Sequence, residues 1–271
     1  MDNLFDTLRQ DYVIRAMIAT LLLCISCATM GVYVVLRKMA FLGDALAHTA
    51  LPGIVLAYFF KWPLFVGALF ADILTALGIS WLAKREKIKE DTAVGILFSS
   101  MFALGLFFLS GKSVRQDLTH MLFGSIINVT TKEITFMAIT TLIVISFLTL
   151  IGKELAVTSM TPNYARQIGI NPDFIRTLIL LVLAITVVSS IQLVGVILTS
   201  AMLITPAATA GLFTKRIFPM MLLSTVFAIT SGIGGLIITC IYNYPPGVVM
   251  VLLATLLFLI SFSIKSIFKR S

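Results

Sequence analysis

An all-α fold of eight or nine membrane-crossing helices is what this sequence predicts, and three observations carry that reading. Of 271 residues, 59% are hydrophobic and only 12% are charged, about half the ~25% charged share of a soluble domain. Mean hydropathy is +1.07. Apolar runs recur from end to end, many near the ~20 residues that a helix needs to cross a bilayer. No shift in composition marks off a soluble part, so residues 1–271 read as a single transmembrane domain.

The runs fall at 12–36, 45–60, 62–83, 92–110, 134–152, 177–200, 201–213, 217–241 and 248–264. The short run 201–213 reads as a broken or re-entrant piece, and it decides between eight and nine. Residues 1–11 read as an amphipathic helix lying at the interface. The same stretch, MDNLFDTLRQD, lacks a basic region followed by a short apolar core, so no cleaved signal is expected.

A net charge of +8 in a soluble chain would point to nucleic acid. Here the cations sit in short loops, where they orient the chain. With the N-terminus outside and the C-terminus inside, fourteen of the 20 Lys and Arg residues face inward, among them Arg37, Lys38, Lys84, Lys89, Arg166 and Arg176. The reverse orientation inverts that bias. Two connections exceed what a turn needs. Residues 111–133 face outward and residues 153–176 inward. The inner one holds Pro162, a short helix-like run, then Gly169 and Pro172, the punctuation of a short helix bracketed by turns.

Two side chains stand out in FLGDALAHTALPGIVLAYFF, residues 41–60. Asp44 and His48 are four residues apart and share one helix face. Carboxylate with imidazole suits divalent manganese, iron or zinc. A membrane-embedded aspartate costs at least ~2.5–3.5 kcal/mol, so it marks a cavity, a partner or a transport path. Pro52 and Gly53 should break the helix just beyond, as in discontinuous ion-site helices. The alternative is a hydrogen-bonded Asp/His pair that joins two helices without metal. One helix offers only two ligands, whereas a two-fold dimer would offer four, a reason to expect a second copy.

Asp72, in GALFADILTALG, is a possible pathway carboxylate or, more simply, the partner of a Ser or Thr on a neighbouring helix. His120, with Asp117 in the outer connection, reads as an external metal-handling residue or, more simply, as a solvated or interfacial residue that touches a partner. Cys24 and Cys27 spell CxxC but lie inside an apolar run, as small packing residues with no disulfide framework. SGIGG at 231–235 reads as a close-packing face. GLFFLSGKS has five residues between its glycines where a phosphate loop has four, and it leaves a membrane helix, so no nucleotide site is read there. With two histidines, no nucleophile–base–orienter set is formed, and an enzyme is not expected.

Four blocks, LRKMAFLGDALAHTALPGIVLAYF, DTAVGILFSSMFALGL, DLTHMLFGSI and QLVGVILTSAMLITPAATA, resemble the permease subunit of bacterial ABC importers for manganese, zinc or iron. They run in order over about residues 15–260. The resemblance implies a type II importer permease in the bacterial cytoplasmic membrane, acting as a homodimer. It implies two copies of a cytoplasmic ATP-binding subunit, which hold the ATP, and an extracytoplasmic metal-binding protein. Asp44 and His48 match the metal-lining positions of the GDA-x-x-H block. PNYARQIG, that is Pro162, Asn163, Tyr164, Ala165, Arg166, Gln167, Ile168 and Gly169, resembles the inner segment that seats in the ATPase. The block with Asp117 and His120 falls where the family meets its binding protein. Asp72 departs from the small neutral residue expected there. A transported manganese, zinc or iron ion and no resident cofactor are expected. A gradient-driven secondary transporter or channel, or a structural or sensory membrane protein without flux, would read differently in the inner segment and at Asp44.

Overall fold

The computed structural model describes residues 10–84, 88–110, 126, 129–242 and 244–270. Helices follow one another as α1 (Asp11–Leu36), α2 (Phe41–Thr49), α3 (Leu51–Phe60), α4 (Leu64–Ala83), α5 (Glu90–Ser110) and α6 (Thr131–Met160). The short α7 (Pro162–Gln167), α8 (Pro172–Phe213), α9 (Ile217–Tyr242) and α10 (Pro246–Arg270) complete them. Strands are absent among the described residues. Eight spans, with α2 and α3 counted together, are long and apolar enough to cross a membrane. Of the proposed interfacial helix, residues 1–9 lie outside the described residues, and Asp11 already opens α1.

The largely buried α1 and α8 form the centre. α8 packs against α1, α2, α4, α6, α9 and α10, while α5 and α10 leave most of their surface open. Small residues permit the closest approaches. A Cβ on Gly53 would sit 2.0 Å from the Gly67 carbonyl oxygen, and one on Gly67 would sit 2.2 Å from that of Gly53, so α3 and α4 touch backbone to backbone. SGIGG behaves as expected: Gly232 faces Cys24 and Thr20, and Gly235 faces Met250. The two α1 thiols contact different helices, Cys24 donating to the Ala228 carbonyl and Cys27 meeting the Ser190 hydroxyl.

The 42-residue α8 is not one straight rod. Straight, it would extend ~63 Å at 1.5 Å per residue. Yet Pro172 and Asp173 share a cavity with Leu36, and Ala207 and Ala210 pack beside the same Leu36. Both ends therefore reach one end of α1. The chain folds back at Gly195, whose φ of 78° and ψ of 174° lie in a region essentially reserved for glycine. The expected interruption before 201 thus sits six residues earlier, with Ser200 inside the returning helix. This reversal brings Lys215 and Arg216 to the end of the molecule that carries Arg37.

The inner segment 153–176 is mostly helix. α6 continues to Met160, and α8 starts at Pro172, with the Asn171 side chain accepting from the Asp173 and Phe174 amides. Only α7 and its turns remain as a connector. At the outer end α6 begins with a capping box, in which Thr130 accepts from the Glu133 amide and Glu133 from the Thr130 amide.

Candidate metal pathway

α2 places the candidate donors. Its nine residues put Asp44 in the first turn and His48 in the last. Both point along one face: His48 Nε2 stands 3.8 Å from Asp44 Oδ1, too far for a hydrogen bond and near enough to share an ion. The side chains are 30% and 40% exposed respectively. Leu203 on α8 approaches both Gly31 and Gly43, so the start of α2 packs beside the last third of α1.

Pro52 does less than expected. α2 and α3 are parted by Ala50 alone, which keeps right-handed helical angles (φ −64°, ψ −24°). A proline at the start of a helix is well tolerated, so the result is a mild joint instead of an unwound segment. What Pro52 does remove is the amide that would have bonded the His48 carbonyl four residues back.

Behind the pair, the protein is closed. Asp72 on α4 is fully buried, and Thr49, the residue after His48, donates a 2.9 Å hydrogen bond to its Oδ1. Of the two readings of Asp72, the helix-joining one describes its place: it ties α4 to the last residue of α2. Its Oδ2 has no hydrogen-bond partner among the described residues.

Phe98 and Phe102 on α5 were not singled out in the sequence. Their rings stack on each other and meet the His48 imidazole edge-on, at centroid distances of 5.9 and 5.6 Å. Phe41 meets Phe98 in turn. The i, i+4 spacing of Phe98 and Phe102 was the available signal, but such a stripe usually means packing. Among the described residues, no group of three or more His, Cys, Asp or Glu side chains gathers. One chain brings two donors.

The inner-segment residues are partly as expected. Pro162 to Gln167 form α7, Ile168 follows, and Gly169 turns the chain with φ +83°. Asn163, Tyr164, Arg166, Gln167 and Ile168 are exposed, while Ala165 is buried against the body. Nearby, Arg176 bonds Glu90 at 3.1 Å and Asp173 at 2.8 Å, joining α5 to the start of α8. Asp117 and His120 lie outside the described residues.

An all-helical, multi-pass membrane protein with an aspartate and a histidine one turn apart on a partly exposed helix face is the class this geometry defines. Residues 9–265 match the ABC 3 transport family. The chain is 38% identical over 255 residues to the manganese transport system membrane protein MntC of Listeria monocytogenes, covering 94% of this chain and 91% of that one. It is 33% identical over 268 residues to the chelated iron transport system membrane protein YfeD of Yersinia pestis, covering 96% and 89%. Among solved structures, PsaBC from Streptococcus pneumoniae in complex with Fab superposes with a TM-score of 0.85 at 33% identity, covering 96% of this chain and 95% of that one. The chain belongs to the ABC 3 transport family: it is a membrane component of a transport system, with the all-α permease fold.

Proposed function

We propose that this chain is the permease of an ATP-driven importer that moves a divalent transition metal, manganese or iron in the first instance and zinc by the same donor chemistry, into a bacterial cytoplasm. One observation carries the proposal: Asp44 and His48 converge on one face of α2 and stay partly exposed, although Phe98 and Phe102 of α5 meet the imidazole. Left to lipid, a carboxylate there is costly. A second copy of the chain closes the face and doubles the donors around one ion. The names of the relatives, which include manganese and iron systems, support the cargo class.

Few protein ligands suit the task, because an ion in transit must be released. Asp44 and His48 hold it while it exchanges water for protein. Phe98 and Phe102 wall the imidazole and keep Nε2 turned toward Asp44. ATP is hydrolysed on a separate subunit, which seats on α7 and its exposed Tyr164 and Arg166. An extracytoplasmic binding protein delivers metal to the opposite side, through the segment with Asp117 and His120. Residues 1–271 act as one permease domain.

The test is uptake into vesicles holding this chain, its ATPase and its binding protein, with manganese, iron and zinc compared. ATP-dependent uptake that vanishes in Asp44→Ala/His48→Ala, with the protein still folded, is expected. Uptake untouched by both substitutions would sink the site assignment, and uptake without ATP would favour a gradient-driven carrier.

A further inference from the structure

At the inner end of the molecule a cavity of about 370 Å³ opens between the end of α1, the start of α5, the end of α6, α7 and the start of α8. That lies inside the roughly 300–1,000 Å³ range of small-molecule sites. Four cations line it, Arg37, Lys38, Arg166 and Arg176, against two acids, Glu90 and Asp173. Both acids are already paired, each with Arg176. The other three cations have no carboxylate within ion-pair distance among the described residues. Arg37 gives only its Nε, at 3.2 Å, to the Ser159 hydroxyl.

Arg176 supplies an independent sign. Its side chain is nine-tenths buried, and its Nε finds no hydrogen-bond partner among the described residues although the rest of the guanidinium is bonded. Burial lowers the Arg37 guanidinium from its ordinary value, Glu90 opposes this, and the like charge of Arg176 adds to it. Glu90 and Pro172 are also the first residues of α5 and α8, so two helix N-termini bring partial positive charge to the same space. Such clustered positive charge is unfavourable unless an anion shares the space.

We propose that this cavity binds a phosphate group, carried by the headgroup of an anionic phospholipid or by free phosphate. Its position favours the lipid: it sits where apolar α1 ends at Leu36, and basic pockets between membrane helices on the inner side are suited to anionic headgroups. Because Arg166 comes from α7, an occupied cavity also braces α7 against the body.

The full chain is placed in phosphatidylcholine nanodiscs with and without phosphatidylglycerol, and lipid retained after extraction is counted by native mass spectrometry. In a parallel arm, inorganic phosphate is titrated in phosphatidylcholine alone with thermal unfolding as readout. Neither arm requires transport, so the result stands apart from the proposed function. Wild type is expected to retain phosphatidylglycerol, and Arg37→Gln or Lys38→Asn to weaken retention about fivefold each. Lys215→Gln, on another inner loop, should leave it unchanged. Should Arg37→Gln fail to fold, Lys38→Asn decides alone, since Lys38 is exposed and its φ of 60° suits asparagine. Stabilisation by phosphate alone, lost in the same variants, assigns the site to free phosphate. No retention and no stabilisation overturns the proposal. So does equal loss in Lys215→Gln, which would mean diffuse attraction.

Discussion

Two intramembrane aspartates lie within a few residues' reach of each other, and the protein treats them in opposite ways. Asp72 is sealed between α4 and α2, fully buried and bonded to Thr49. Asp44, on the neighbouring side of the same α2, is 40% exposed, with the His48 imidazole 3.8 Å away. A buried carboxyl with a hydroxyl partner fixes helices. A half-open carboxylate beside an imidazole is unfinished until something else arrives. Residue type did not separate the two; what surrounds each one did.

The largest expected effect comes from the open side. Asp44→Asn and His48→Gln keep size and polarity but remove charge or basic nitrogen, and uptake should fall to background while the purified protein still elutes as one folded species. Asp72→Asn is the matched contrast. The amide can still accept from Thr49, so uptake should stay within a few-fold of wild type, and a collapse as deep as that of Asp44→Asn would place Asp72 on the path. Asp72→Leu instead removes the bond that ties α4 to α2 and leaves the Thr49 hydroxyl only the Leu46 carbonyl at 3.1 Å, which should cost about 0.5–1.5 kcal/mol, read as a lower midpoint of thermal unfolding in detergent.

Smaller effects probe the frame around the pair. Gly195→Ala forces a Cβ onto the fold-back of α8, at a cost on the order of 1–3 kcal/mol. Lower thermal stability is expected, and an unchanged midpoint would argue against the reversal. Phe102→Leu removes an edge contact to His48, typically worth about 0.5–1.5 kcal/mol. It should weaken metal uptake several-fold without altering stability to the extent that Asp72→Leu does, and unchanged uptake would reduce the aromatic wall to packing.

Much of this was legible beforehand. The i, i+4 relation of Asp44 and His48 is a property of any helix, and α2 reproduces it. The Ser/Thr partner anticipated for Asp72 is Thr49. Pro162, Gly169 and Pro172 bracket α7 as their backbone preferences require. The misreadings share a cause. The interruption of α8 was placed before 201 because apolar residues run unbroken through QLVGVIL, in which Gly195 is a single letter. Pro52 was expected to unwind its helix, but one residue at Ala50 absorbs it because α3 restarts with the proline in a first-turn position. Phe98 and Phe102 carry no mark in the sequence, because a spacing cannot name the residue it will meet.

The sequence alone determined the environment and the chemistry: a chain this apolar must satisfy its backbone within helices inside a bilayer, and its few polar residues there mark positions with a task. Tertiary structure alone decided which task. Depth, exposure and partner follow from which helices pack together, through contacts between residues far apart in the chain, such as Leu203 with Gly31 and Gly43 or Arg176 with Glu90. Local composition carries no record of those distances, so only the folded chain leaves one aspartate partly open and locks the other into the core.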